Sequence, residues 1–188
     1  DPADYQEAAN VTSMLGETGF GGFKPVELEK LLTGKLVSGS PIVGNYTHGL
    51  AGSSTPKDLE TALQLLYLNM TQPGDRAEGF EVWKKRLATS VANRLASPEA
   101  AFSDKARALN TGNFYMARPL TPGAVDSLQL APALAFYRKA FANAADFTFC
   151  FVGAFKPEEL KPLVEQYIAS LPSTGRATSN FVDRGVKF

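Results

Sequence analysis

The sequence predicts an α+β fold, a two-layer domain with helices packed on one face of a mixed, mainly antiparallel sheet. Three observations predict it. Stretches with helical apolar spacing, about six or seven, outnumber strand-like runs, about three or four. Two short runs at 35–41 and 43–53, "KLVSGSP" and "VGNYTHGLAGS", have the length and turn residues of a hairpin. At 146–155, "DFTFCFVGAF", Phe147, Phe149 and Phe151 alternate with Thr148, Cys150 and Val152. Both faces of that run are apolar, which predicts a central strand covered on each side, with Cys150 a small buried residue. Helices and strands in this proportion pack as a helical layer on one sheet.

The elements follow in order. Ala8, Val11, Met14 and Leu15 mark a helix over 3–18, and "GFGG" (19–22) ends it in a turn. Pro25 suits the first turn of a second, short helix, and Gly34 its left-handed cap. Pro41 makes the first hairpin strand an edge. Thr55, Pro56 and Asp58 spell a helix start before the stripe Leu59, Ala62, Leu63 and Leu66. Asp75 with Glu78 predicts a capped start for a long helix through residue 96, and Ser97 with Pro98 starts the next. A loop with one helical turn after Thr121 leads to a helix over 131–144. After the Phe-rich run comes a helix with Leu160, Leu163, Val164, Tyr167 and Ile168 on one face. The domain is expected to span 1–175, with 176–188 a linker or final edge strand.

Composition narrows the function. The 188 residues hold 19 Lys plus Arg and 19 Asp plus Glu, so the formal net charge is zero. That leaves no electrostatic footprint for nucleic acid, and no apolar run approaches the roughly 18 residues of a membrane span. The opening "DPADYQEAAN" has no initiating Met and no signal-like segment, and reads as the start of a piece of something longer. The chain has one histidine, His48, and one cysteine, Cys150. An internal disulfide is excluded, and a zinc site built from three or four His, Cys or carboxylate ligands would depend on carboxylates. His48, in "YTHGL", reads as an exposed or partly packed strand residue rather than a catalytic base. "GETGFGG" follows a helix, the reverse of the strand–glycine–helix order of a phosphate loop, so turn chemistry accounts for it. "VWKKR" (82–86) reads as a solvated basic face.

The order of parts carries a resemblance. "ALAFYRKAFANAADFTFCFVGAFKPEELKPLVEQYIASLPSTGR" resembles a recurring segment of the insulinase/pitrilysin-type zinc metallopeptidases. Its marks are a helix ending in F/Y-x-x-x-F/Y, a strand ending in V-G, and an acidic helix stopping at "LP". "SSTPKDLETALQLLYLNMTQP" and "FEVWKKRLATSVANRLASPEAAFSD" are similar to two preceding helices of the same unit, so the likeness covers about residues 8–175. The resemblance implies a parent built of two similar halves. In it, zinc is held by a His-x-x-Glu-His helix and a later Glu, and the motif's Glu is general base for zinc-bound water.

With "GFGG" as anchor, the two histidine positions fall on Ser13 and Glu17, and the base position on Gly16. The third-ligand position falls near Ala92 or Asn93. None of these roles is filled, and no histidine occurs in residues 1–47. The resemblance therefore implies an inactive domain of a bacterial zinc protease, with no catalytic, cofactor or metal residues of its own. Zinc is expected in the catalytic domain of the parent. The expected partners are the catalytic half of the same polypeptide and peptide substrates, with no nucleic acid and no membrane insertion. The expected location is the periplasm or cell envelope. Residues 35–43 correspond to the edge strand on which the family adds substrate. Two other readings stand beside this one: a stand-alone peptide- or protein-binding or assembly module of the same fold, and an enzyme of another class using His48.

Overall fold

The computed structural model describes residues 5–183. Helix α1 (Tyr5–Thr18) leads through the "GFGG" turn to α2 (Pro25–Leu31), and then to strands β1 (Val37–Val43) and β2 (His48–Ser54). Next come α3 (Leu59–Thr71), α4 (Ala77–Leu95), α5 (Pro98–Asn110), α6 (Pro122–Ser127), α7 (Leu130–Ala140) and α8 (Pro157–Tyr167). Short 3-10 turns stand at Pro56–Asp58, Tyr115–Ala117 and Ala144–Asp146. The fold is α+β as expected, with helices packed against a sheet.

Local chemistry explains most boundaries. Gly19, Gly21 and Gly22 all have positive φ, the conformation glycine adopts without steric cost. A Cβ on Gly19 would also stand 2.1 Å from the Phe23 carbonyl oxygen. Thr55 Oγ1 accepts from the Asp58 amide at 3.3 Å, and the Asp58 carboxylate accepts from the Thr55 hydroxyl at 2.8 Å and the Leu36 amide at 3.0 Å. Those hydrogen bonds hold the Asp58 carboxyl below its ordinary value, the Thr55 hydroxyl first among them. Ser97 and Thr121 cap α5 and α6 by accepting from Ala100 and Ala124.

The core lies between helices. Val11, Met14 and Leu15 of α1 meet Met70 of α3, Phe80 and Trp83 of α4, and Leu134 and Tyr137 of α7. Val43 and Leu50 bring the hairpin onto this cluster. Tyr137 is fully buried and donates its hydroxyl to the Asn69 carbonyl at 2.8 Å. Burial pushes its phenol well above the usual range.

Several expectations need correction. The sheet has two antiparallel strands among the described residues, with Pro41 opposite Leu50 and Val43 opposite His48. The second hairpin strand begins at His48 rather than at 43, because Gly44 and Thr47 close the turn. There are eight α-helices among the described residues, more than six or seven. Asp75 does not cap α4, whose first residue follows Arg76 with no side-chain cap. The Phe-rich run does not pair as a central strand. It is extended, with Phe147, Phe149 and Phe151 half-buried and Thr148, Cys150 and Val152 exposed. Cys150 is thus an exposed free thiol and not a buried one. Alternation specifies a pleat and a buried face; it does not supply a neighbour to pair with. The tail from Pro172 to Asp183 has no regular element, and residues 184–188 lie outside the described residues.

Candidate functional site: the α1–α4 face

Ser13, Gly16 and Glu17 lie on one stretch of α1, and α4, which carries Ala92 and Asn93, packs against it. Close approach is built in by glycine. A Cβ on Gly79 would stand 2.4 Å from the Glu17 carbonyl oxygen, and one on Gly74 2.4 Å from the carbonyl oxygens of Thr18 and Gly19. At this separation, side chains of α4 reach the exposed side of α1 directly.

Ser13, Glu17 and Arg76 each have a partner there, while the buried Thr18 hydroxyl has none. Ser13 Oγ accepts a hydrogen bond from Trp83 Nε1 at 3.1 Å and donates to the Asn10 carbonyl at 2.9 Å. The Glu17 carboxylate is ion-paired with the Arg86 guanidinium. Gly16 is exposed and offers no side chain. Arg76 reaches into the "GFGG" turn, donating to the carbonyls of Thr18 at 3.0 Å, Phe23 at 2.7 Å and Gly22. Ala92 and Asn93 lie exposed further along α4 and bring no carboxylate.

The donor set does not fit zinc. A zinc centre needs three or four nitrogen, sulfur or carboxylate donors, and of Ser13, Gly16, Glu17, Ala92 and Asn93 only Glu17 has a carboxylate, ion-paired with Arg86. A guanidinium beside it repels a divalent cation. Among the described residues no group of three or more His, Cys, Asp or Glu could hold a metal ion.

His48 stands apart from this face. It is exposed on β2, with its ring edge-on to Phe141 at 5.4 Å and to Phe147 at 5.3 Å. The basic run 82–86 is not simply a solvated face. Trp83 is buried, Lys84 donates to the carbonyls of Asp126 at 2.7 Å and Leu128 at 3.0 Å, and Arg86 pairs with Glu17. The signal was its spacing. Trp83 and Arg86 are three residues apart and therefore share a helix face, one that Trp83 anchors to the core.

Comparison with known proteins finds relatives that match most of the chain. No family model matches the chain. It is 27% identical over 180 residues to a zinc protease PQQL-like protein of Arabidopsis thaliana, a match covering 95% of this chain and 16% of the relative. Among solved structures it superposes on the periplasmic protease PqqL from Escherichia coli with a TM-score of 0.75 and 18% identity, covering 97% of this chain and 20% of that one. It also superposes on a peptidase M16 inactive domain from Pseudomonas fluorescens with a TM-score of 0.69 and 17% identity, covering 92% of this chain and 42% of that one.

The fold is that of an M16 peptidase domain, the insulinase/pitrilysin type. The chain is related over most of its length to zinc proteases of the PqqL kind, and spans under a fifth of the curated relatives it matches.

Proposed function

We propose that this chain is a catalytically silent domain of a pitrilysin-type zinc peptidase. It forms part of the wall of the substrate chamber and packs against the catalytic half of the same polypeptide, where the zinc resides. Residues 1–175 constitute the domain. One observation carries the reading: Ser13 and Glu17, at the family's ligand positions, are tied to Trp83 and Arg86 of α4. Polar groups tied to each other across a helix pair hold two elements together, and a guanidinium beside the carboxylate disfavours a cation there. Its likeness to an M16 inactive domain supports the same assignment.

The contribution to hydrolysis is enclosure. A rigid wall excludes water from a bound peptide and limits its conformations, while the chemistry belongs to the other half. The periplasm is the location the E. coli relative suggests, and no helix among the described residues is long and apolar enough to cross a membrane.

The test is made in the full-length parent. Glu17→Gln and Ser13→Ala should leave chelator-sensitive peptide hydrolysis within about threefold of the unsubstituted protein. A loss of about a hundredfold or more in a protein of unchanged circular dichroism, the scale of removing a catalytic group, would overturn the proposal.

A further inference from the structure

The described tail has no regular element after Pro172, yet it is tied to the domain at several points. The Ala144 amide donates to the Pro172 carbonyl at 2.9 Å, which sets the tail beside the end of α7. Asn143, 6% exposed, then holds it with both ends of its side-chain amide. Its Oδ1 accepts from the Thr174 amide at 2.9 Å and the Ser173 hydroxyl at 3.3 Å. Its Nδ2 donates to the Arg176 carbonyl at 3.1 Å and to Thr178 Oγ1 at 3.3 Å. The Thr178 hydroxyl in turn donates to the Asp146 carboxylate at 2.9 Å, and that carboxylate also accepts from the Thr178 and Ser179 amides. Both anchors belong to one fixed segment. Asn143 Oδ1 also accepts from the Ala145 amide and so caps the turn Ala144–Asp146, while Phe141 and Phe147 on either side pack on the core.

Two residues past Ser179 the tail reaches the β1–β2 turn. Phe181 stacks on Tyr46, with ring centres 6.0 Å apart and planes 20° from parallel. Residues 44–47 are exposed, and the Gly44 amide closes the turn by donating to the Thr47 carbonyl at 2.8 Å. Just past the turn, His48 stands edge-on to Phe141 and Phe147. Three pieces of chain therefore touch in a closed triangle. Segment 141–147 holds the tail, the tail meets Tyr46, and His48 joins the hairpin back to segment 141–147. The sides differ in strength. Asn143 and Asp146 make several bonds to the tail, whereas the stack joins a ring residue 77% exposed to one 49% exposed. An exposed ring pair is the side that opens first.

We propose that residues 173–181 are a latch on the β1–β2 hairpin. Docked along Asn143 and Asp146, they bring Phe181 onto Tyr46 and steady the turn; drawn away, they release it. The chemistry suits a reversible catch. Asn143 and Asp146 bond main-chain groups of Thr174, Arg176, Thr178 and Ser179, so docking demands one path of the backbone, with Gly175 at a φ of 73° supplying its bend. A tail tethered to its own cradle docks at high effective concentration and re-engages after each release. Among the described residues β1 pairs with β2 on one side only, so the turn sets where the end of the unpaired β1 edge lies. The latch makes the path of the tail and the position of that edge one variable. The inference does not depend on the domain being catalytically silent, and its test reads no activity.

Hydrogen exchange is measured in the full-length parent and in three variants. Phe181→Ala removes the ring and leaves the cradle intact. The Gly44 amide should then exchange at least about threefold faster, the worth of an exposed ring pair, while the Thr178 and Ser179 amides keep their rates. Phe181→Tyr, which keeps a ring, should exchange as the unsubstituted protein does. Asp146→Ala should speed the tail amides and Gly44 together. A Gly44 rate raised less than about threefold by Phe181→Ala overturns the proposal. So does an Asp146→Ala protein whose tail amides are released while Gly44 keeps its rate, which would mean that the turn stands without the tail.

Discussion

Trp83 Nε1 donates to Ser13 Oγ at 3.1 Å, so the indole that fills the core under α1 also ties off the polar side of that helix. The two residues are 70 positions apart in sequence. Their contact makes this part of α1 a helix-packing interface.

That contact should be measurable. Ser13→Ala removes the acceptor of the Trp83 indole N–H at a part-buried site and should cost about 0.5–1.5 kcal/mol, the net worth of an ordinary hydrogen bond. Trp83→Phe removes the donor but also deletes buried aromatic volume, so it should cost at least as much. Urea unfolding of both single variants and the double variant separates the terms. A cycle with no coupling between them would mean that the hydrogen bond does not contribute.

Gly79 gives a prediction of opposite sign to helix propensity. Inside an exposed helix, Gly→Ala stabilises by about 1 kcal/mol. Here the new methyl would stand 2.4 Å from the Glu17 carbonyl oxygen, and backbone cannot move aside as a side-chain tip can. Gly79→Ala should therefore destabilise by about 1–3 kcal/mol, the usual cost of overpacking, and should spread α1 from α4. A rise in the thermal midpoint would contradict the close approach.

The Asp146 carboxylate holds the tail by accepting from the amides of Thr178 and Ser179 and from the Thr178 hydroxyl. Those bonds, the Thr178 amide first, pull its pKa from 3.8 down to about 2. A carboxyl depressed on folding stabilises the docked tail fully above its unfolded value. That stabilisation is lost as pH falls from about 4 through about 2. The Thr178 and Ser179 amide resonances should therefore shift with a midpoint near pH 2, and Asp146→Ala should abolish the transition. A midpoint at or above the ordinary carboxylate value would show that the tail is not held this way.

Much of the helical layer was legible because capping and apolar spacing are local. Thr55, Ser97 and Thr121 each announced a helix that the structure contains. The spacing of Leu160, Leu163, Val164, Tyr167 and Ile168 likewise marked the half-buried face of α8. Pairing is not local. Phe147, Phe149 and Phe151 revealed a pleat and a buried face, but a strand's neighbours are chosen by distant chain. That α1 presents Ser13, Gly16 and Glu17 was legible directly. What packs against them was hidden. Arg76, Trp83 and Arg86 meet α1 only because Gly74 and Gly79 let the backbones approach.

The central claim is that the α1–α4 face is a packing interface without metal chemistry, and calorimetric titration of the folded 188-residue chain with zinc tests it most directly. The account predicts only weak, non-stoichiometric heat, unchanged by Glu17→Gln or Ser13→Ala. One zinc bound per chain with submicromolar affinity, and lost in Glu17→Gln, would contradict it.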